Sequence, residues 1–195
     1  MSKPRKVDSS IECPIDNFLY IIVEILDPIF YKLNFTPNMI TTLSFISGLY
    51  SVILLNNNSI CLSSIFYMIA YLFDHLDGYY ARNHNMCTVF GDYYDHITDI
   101  IQFILIIYVM YKKNKSHLMK KIPFIILIGF ISLINLGCVE CYYDGDESES
   151  LSILKKLCIN KNLIHYTKFF GCGALHVYNA YSILTININD NLKSN

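Results

Sequence analysis

The chain has 195 residues, of which 53% are hydrophobic and 16% are charged, and its formal net charge is −1. The length indicates one domain, and the near-zero charge excludes the strongly basic balance by which many proteins bind nucleic acid. The hydrophobic residues lie in long uncharged runs. This pattern predicts an all-α integral membrane protein, because helices satisfy their own backbone hydrogen bonds in lipid.

The first 34 residues contain no secretory signal peptide, since no short apolar region with a cleavage site follows the basic start. We predict that residues 1–10 are disordered. Residues 11–34 combine apolar residues at helical spacing with scattered charges, which indicates an amphipathic helix on the membrane surface, interrupted near Pro28. A short peripheral helix packed on the bundle explains the same pattern, and the two interpretations are compatible.

The transmembrane domain is predicted over residues 35–188, with a polar tail over residues 189–195. The first spanning helix is expected to begin with Thr36 as the N-cap and Pro37 at the first helical position. The lysine-rich segment Lys112–Lys121 is expected to form a turn. The predicted spanning helices cover approximately residues 36–56, 60–82, 91–111, 122–142 and 165–186. A sixth spanning helix is possible in Leu151–Asn160, so the sequence predicts a bundle of five to six spanning helices.

Cysteine usage predicts reduced, buried thiols, because the seven cysteines are an odd number and several lie in apolar runs. Cys138 and Cys141 have a spacing found in metal sites, but no second pair lies near them. We therefore do not predict a zinc site there.

Four aspartates stand at the ends of two otherwise apolar predicted helices, where a carboxylate is energetically costly. At about 100° per residue, Asp74 and Asp77 lie on one face of the first of these helices. Gly91, Asp95 and Asp99 are four residues apart and form one stripe on the next helix. The short connection between the helices makes them antiparallel, so the two carboxylate pairs are predicted to face each other.

Clustered carboxylates need protonation or cations, and oxygen-only ligands suit magnesium, manganese or calcium. Two such ions about 3.5–4 Å apart recur in sites of phosphoryl chemistry. Arg82 on the same face supplies a planar cation for a phosphate. Gly78, Ala81 and Gly91 leave room there for a bulky ligand. The residues alone therefore predict a metal-assisted reaction on a phosphate compound at the membrane.

The pattern D-x2-D-G-x2-A-R-x8-G-x3-D-x3-D, which covers Asp74 to Asp99 with every spacing intact, resembles the signature of the CDP-alcohol phosphotransferase family, also called the class-I CDP-alcohol phosphatidyltransferases. Asn38 and Thr41 at the start of the first spanning helix also resemble the family, whose first helix lines the nucleotide pocket. A helix-start feature explains these two residues equally well.

The resemblance implies phospholipid biosynthesis by a transferase. Two divalent cations, Mg²⁺ or Mn²⁺, would be held by Asp74, Asp77, Asp95 and Asp99, and they would bind the pyrophosphate of a CDP-linked donor. Asp99 would also be catalytic, taking the proton from the acceptor hydroxyl, and CMP would leave. The donor-binding residues that the resemblance implies are Asn38, Thr41, Gly78, Ala81, Arg82 and Gly91.

Two combinations of donor and acceptor remain open. Either CDP-diacylglycerol reacts with a small polar alcohol, or a CDP-linked headgroup reacts with diacylglycerol. Many relatives have Lys or Arg directly after the last motif aspartate, and Ile100 at this position argues against a phosphorylated acceptor. Asp95 followed by His96 resembles the choline and ethanolamine branch, while free inositol also remains open.

The expected location is a multi-pass membrane protein among membrane lipids, with the active site on the cytosolic face, where CDP-linked donors are made. The positive segment Lys112–Lys121 would then lie on the opposite side, against the positive-inside tendency. The resemblance also implies a homodimer. The predicted partners are therefore a CDP-linked donor, a small alcohol or diacylglycerol, and no nucleic acid.

Two other functions compete with the transferase: an intramembrane cation carrier that uses the four carboxylates, and a catalytically inactive family relative. A carrier does not explain the glycines and the arginine of the motif, and an inactive relative should have lost some motif positions. Three polar residues beside the motif, His75, Asp92 and His96, are expected to face the membrane interface. Three later polar residues are expected to line an acceptor pocket or to form core hydrogen bonds: Glu140, His176 and Asn179.

Overall fold

The computed structural model describes residues 5–142 and 150–186, and these residues form helices and turns with no β-strand among them. The long helices are α1 (Pro14–Lys32), α2 (Pro37–Asn56), α3 (Ile60–Asn83), α4 (Val89–Lys113) and α5 (Lys115–Tyr142). They are followed by 3₁₀ turns at Ser152–Leu157, Lys161–Leu163 and Lys168–Phe170, and by α6 (Ile164–Thr167) and α7 (Cys172–Leu184). The predicted all-α fold is confirmed.

Within the described ranges, three helices are long and apolar enough to cross a membrane: α2, α3 and α5. This number is below the five to six that the sequence predicts. The 25 residues of α4 include acidic groups in the first half and two lysines in the last turn. The 13 residues of α7 extend about 20 Å, less than the hydrocarbon thickness of about 30 Å.

The last predicted span, over residues 165–186, is divided in the structure. Gly171 has an extended backbone with ψ of −175° and separates the short turns before it from α7. A Cβ at Gly171 would lie 3.0 Å from the Cβ of Cys13 and 3.1 Å from Oδ1 of Asn135. The chain bends there because it passes closely between α1 and α5, a constraint that hydrophobicity along the sequence does not reveal.

The N-terminal helix α1 runs without a break through Pro28, so the predicted interruption is wrong. It packs against α3 and α7. Its position along the membrane surface stays a prediction. Residues 5–10, which the sequence predicts to be disordered, make side-chain contacts, whereas positions 1–4, residues 143–149 and the polar tail lie outside the described residues.

Helices α2, α3 and α4 approach closely because small residues lie between them. The hydroxyl groups of Ser51 and Ser63 each donate a hydrogen bond to the backbone carbonyl of the other residue, at 2.8 and 2.9 Å. A Cβ at Gly48 would lie 1.5 Å from Oε1 of Gln102 on α4. The predicted N-cap at the start of α2 is confirmed, since the Thr36 hydroxyl accepts from the Met39 N–H.

The connection between α4 and α5 is much shorter than the predicted lysine-rich turn. Helix α4 continues to Lys113, Asn114 caps it, and α5 begins at Lys115. The side-chain oxygen of Asn114 accepts a hydrogen bond from the His117 N–H at 2.8 Å. One asparagine can therefore end one helix and support the first turn of the next.

The expectation of reduced thiols is wrong for one pair, because Cys138 and Cys158 form a disulfide. The segment after α5 folds back on that helix, and a Cβ at Gly137 would lie 2.1 Å from the carbonyl oxygen of Leu154. Cys141 remains a free thiol. The Cys138–Cys141 spacing thus does not form a metal pair.

Two apolar clusters stabilise the two ends of the bundle. One joins the later halves of α2, α4 and α7 to the early parts of α3 and α5, around Tyr67 and Met110. The other joins α1, the start of α2 and the second half of α3, around Tyr20 and Leu76. The motif aspartates follow the first cluster along α3 and precede it along α4, so the antiparallel hairpin places them together beyond it.

Candidate functional site

A cavity of about 540 Å³ lies beside the second half of α3 and the first half of α4. Its wall is built by the N-terminal segment and by α1, α2, α3, α4, α5 and α7, so most of the chain contributes to it. Every motif residue from Asp74 to Asp99 lines this cavity, as do Asn38 and Thr41. The structure therefore brings together all the residues that the sequence assigns to the site.

Three motif carboxylates form one group inside the cavity. Asp74 on α3 and Asp95 and Asp99 on α4 each offer an oxygen atom, and these three atoms lie within 4.8 Å of one another. Thr88 caps the start of α4 by accepting a hydrogen bond from the Gly91 N–H at 3.0 Å. The cap starts α4 close after α3, and this places the two carboxylates of α4 opposite Asp74.

The fourth motif aspartate has a different environment. Asp77 is 4% exposed, and its Oδ2 accepts a hydrogen bond from the Thr41 hydroxyl at 2.5 Å. It lines the same cavity but does not belong to the group of three. The hydroxyl orients this carboxylate from α2, a contact that explains Thr41 more directly than a helix-start role.

The carboxylate group fits a hard divalent cation. Oδ1 of Asp95 is buried and has no hydrogen-bond partner among the described residues, which is costly for a carboxylate unless a cation compensates it. The group offers only oxygen ligands, the donor set that magnesium, manganese and calcium prefer. Asp74, Asp95 and Asp99 could therefore hold a metal ion.

Small residues of the motif leave space next to the carboxylates. A Cβ at Gly78 would lie 3.1 Å from Nη1 of Arg82, and a Cβ at Gly91 would lie 3.0 Å from Oδ1 of Asn38. Ala81 lines the same part of the cavity. Side chains from α2, α3 and α4 thus converge where a bulky ligand would approach the helix backbones.

His75, Asp92 and His96 line the cavity instead of facing away from it. Oδ2 of Asp92 accepts a hydrogen bond from the Ser150 N–H at 2.9 Å, and the His75 ring packs edge-on against Tyr20, with centroids 4.4 Å apart. The side of the motif hairpin that carries these residues is covered by α1 and by the chain after α5, and their position relative to the membrane interface stays a prediction.

The N-terminal segment supplies cavity residues that the sequence analysis did not find. Lys6 lines the cavity and pairs with Glu140 of α5, whose side chain is fully buried. Val7 is buried in an apolar cluster with Cys138 and Ile164. One polar residue that the sequence left open, Glu140, therefore forms a buried ion pair with a residue 134 positions away.

Two acids of the first helical region also lie on the wall. Burial, and then the charge of Asp16, raise the pKa of Glu12 to about 7. Burial likewise raises the pKa of Asp16 to about 6, while hydrogen bonds from Tyr71 and the Gly173 backbone N–H lower it. Asp16, Tyr20, Val23 and Asp27 are all buried on one face of α1. Asp16, an acid within an apolar helical stripe, is the signal that could have identified this wall.

The sequence left two further polar residues, His176 and Asn179, open between lining an acceptor pocket and forming core hydrogen bonds. His176 lines the cavity, and its ring stacks on Tyr71 with centroids 4.0 Å apart. Asn179 lies one turn further along α7 and donates a hydrogen bond to the Tyr67 hydroxyl at 3.2 Å. His176 is thus available to a ligand, and Asn179 holds α7 against α3.

A family model for CDP-alcohol phosphatidyltransferase matches residues 34–141, more than half of the chain. No match was found among curated proteins or among solved structures. The matched range contains the whole aspartate motif and helices α2 to α5 almost completely, and it excludes α1 and α7. With the motif intact around one cavity, the family inferred from the residue spacing is confirmed, and the chain belongs to the CDP-alcohol phosphatidyltransferase family.

Proposed function

We propose that this protein transfers a phosphatidyl or phospho-alcohol group from a CDP-linked donor to an acceptor hydroxyl, with release of CMP, as a step of phospholipid biosynthesis. The observation that carries the proposal is the group of Asp74, Asp95 and Asp99, with oxygen atoms within 4.8 Å of one another in a cavity next to membrane-length helices. The family match supports the same reaction class.

The proposed metal ligands are the four motif aspartates. Asp74, Asp95 and Asp99 would hold a divalent ion, Mg²⁺ or Mn²⁺, and Asp77, oriented by Thr41, would complete a site for a second ion. Bound there, the ions would neutralise the donor pyrophosphate and stabilise the leaving CMP. The buried Oδ1 of Asp95, without a partner among the described residues, supports this assignment.

The residues of the chain would then position and deprotonate the reactants. Asp99 would accept the proton of the acceptor hydroxyl, whose oxygen forms the new bond to phosphorus. The bond between that phosphorus and the CMP oxygen breaks, and CMP leaves with the electron pair. The proton passes from Asp99 to solvent after the product leaves, which restores the carboxylate for the next turnover.

The donor is proposed to bind along α2, α3 and α4. Gly78, Ala81 and Gly91 would let the nucleotide approach the helix backbones, and Arg82 would contact a donor phosphate through its planar guanidinium. Asn38 and Thr41 would line the nucleotide side from α2. The close approach of Asn38 to Gly91, 3.0 Å from an ideal Cβ, supports one continuous pocket.

We expect the active site to face the cytosol, where CDP-linked donors are made, and we expect the family's homodimer. Both proposals, the cytosolic active site and the homodimer, rest on what is expected of the family. Labelling of single cysteines introduced near Asn85 and near Ser116, in sealed vesicles of known orientation, tests the first. Cross-linking in native membranes tests the second.

The deciding experiment is CMP release by the purified protein in lipid nanodiscs. The donors are CDP-diacylglycerol with a panel of small alcohols, and CDP-choline with diacylglycerol, each with Mg²⁺, Mn²⁺ or EDTA. We expect metal-dependent release that Asp99→Asn lacks. Folded protein that releases no CMP with any pair would contradict the proposal. Nucleotide-independent cation flux in liposomes would then support a carrier.

A further inference from the structure

We propose that the wall opposite the nucleotide side binds an uncharged alcohol with several hydroxyl groups, and that the rings of His75 and His176 hydrogen-bond to those hydroxyls. This inference rests on the proposed function, because it names the chemical class of the acceptor. It is carried by the charges on the wall, by two buried ring nitrogens and by the packing of the aromatic rings.

The charges on the wall do not suit a phosphorylated acceptor. The Lys and Arg side chains on the described part of the cavity wall are Lys6 and Arg82. Lys6 is paired with the fully buried Glu140, and Arg82 is the cation that we assign above to a donor phosphate. A phosphate dianion on the acceptor would need at least one cation beyond these two.

Two ring nitrogens on the wall call for a hydrogen-bonding ligand. Nε2 of His75 and Nδ1 of His176 are buried and have no hydrogen-bond partner in the described ranges. Both residues line the cavity from neighbouring helices, α3 and α7. A hydroxyl group can donate to or accept from a neutral imidazole nitrogen, whichever tautomer is present. Two such nitrogens therefore match an acceptor with more than one hydroxyl.

The aromatic rings on the wall are already engaged, which argues against a quaternary ammonium ligand. The guanidinium of Arg5 lies 4.2 Å from the ring centroid of Tyr20, and the His176 ring stacks on Tyr71. Asp16 accepts hydrogen bonds from Tyr71 and from the backbone of α7. An ammonium group would need a ring face or a carboxylate, and the rings of Tyr20 and Tyr71 and the carboxylates of Asp16 and Glu140 are engaged in internal contacts.

The test compares matched acceptors with CDP-diacylglycerol as the donor. The acceptors are inositol and glycerol, their monophosphates, and choline, ethanolamine and serine. A separate arm supplies CDP-choline and CDP-ethanolamine with diacylglycerol, because an ammonium headgroup could arrive on the donor. We expect CMP release with an uncharged polyol to exceed release with any phosphorylated or ammonium compound by about tenfold or more, because each unmatched buried polar group is costly.

Two variants test acceptor binding by the wall independently of donor binding by the motif. His176→Phe keeps the ring that stacks on Tyr71, and His75→Phe keeps the ring edge against Tyr20, while each removes the nitrogens. We expect the KM for the polyol to rise about three- to tenfold, with the KM for the CDP donor little changed. His165→Phe, at an exposed position, is the matched control.

A second readout does not depend on turnover. We expect inositol to raise the melting temperature of Asp99→Asn protein in detergent, and the double variant with His176→Phe to lose most of that rise. Preference for a phosphorylated or ammonium substrate would overturn the inference and leave the transferase standing. Stabilisation of Asp99→Asn protein by inositol, with no CMP release by the parent protein, would overturn the transferase alone. Absence of both the stabilisation and the CMP release would overturn the transferase and the polyol site.

Discussion

The two sides of the cavity are built in different ways. The motif side consists of the eight motif residues between Asp74 and Asp99, which lie in consecutive helices joined by a short turn, so their approach depends on local geometry. The opposite wall combines the N-terminal segment, α1, α5 and α7 with the His75 ring of α3, and its ion pair joins Lys6 to Glu140. Chemistry encoded within one hairpin is readable from spacing, whereas a wall assembled from distant segments is not.

The two sides also differ in how their charges are satisfied. On the motif side, Asp95 leaves a buried oxygen without a partner among the described residues, and an external cation is the natural compensation. On the opposite wall, Glu140 is paired within the chain, and Asp16 accepts from Tyr71 and from the α7 backbone. The comparison predicts that substitutions on the motif side change chemistry, and that substitutions on the wall change stability or acceptor binding.

The largest effect is expected for Asp99→Asn. Loss of the proposed general base and metal ligand should reduce CMP release about 10³-fold, within the range for general-base catalysis. Asp92→Asn is the comparison on the same helix, because Asp92 contacts the Ser150 backbone, and we expect it to lose at most a few-fold. Equal losses in the two variants, measured on folded protein, would contradict the proposal that Asp99 is a metal ligand and general base and that Asp92 is neither.

A smaller effect on the motif side is expected for Thr41→Val. The change removes the hydrogen bond to Asp77, and we expect about a tenfold fall in activity at limiting metal, partly restored by more Mg²⁺. The control is Thr42→Val, because Thr42 bonds to the Asn38 carbonyl and the Tyr94 hydroxyl instead. If Thr42→Val shifts the metal dependence as strongly, Thr41 does not orient Asp77 specifically.

Outside the motif, on α5, Gly137→Ala should reduce stability, because this residue packs against the segment after that helix. Its new Cβ would lie 2.1 Å from the Leu154 carbonyl oxygen, so the backbone must move, and overpacking of this kind costs about 1–3 kcal/mol. Gly129→Ala on the same helix meets only a Leu175 methyl carbon at 4.0 Å, and helix propensity should make it neutral or up to about 1 kcal/mol stabilising. Denaturant unfolding in detergent measures the difference; a Gly137→Ala protein as stable as the parent would contradict the close contact.

The smallest effect is a pH dependence that comes from Glu12. Its pKa is raised from the ordinary 4.5 to about 7, chiefly by burial, so the folded protein keeps a proton that the unfolded chain has lost. Stability should therefore fall as the pH rises from about 4.5 to about 7. Glu12→Gln should flatten this fall, while exposed Glu24→Gln should not. A melting-temperature series across pH 4–8 that is parallel for all three proteins would show that Glu12 is not buried in this way.

Helix starts show how far local reasoning reaches. Thr36 and Pro37 predicted the beginning of α2, and the side-chain cap confirms it. The sequence predicts the end of α4 at Tyr111, but the helix extends to Lys113 and the next begins at Lys115. Lysines are good helix formers, so α4 continues through Lys112 and Lys113, and its end depends on the C-cap Asn114, which composition does not single out.

The helical membrane character and the aspartate motif are readable from the chain's residues alone, because apolar runs and fixed spacings within one hairpin are local properties. Three features become visible in the folded protein: the segments that close the cavity, the break of the last helical region at Gly171, and the disulfide between Cys138 and Cys158. These features depend on contacts between segments far apart in the chain, and such contacts are set by the packing of the whole bundle.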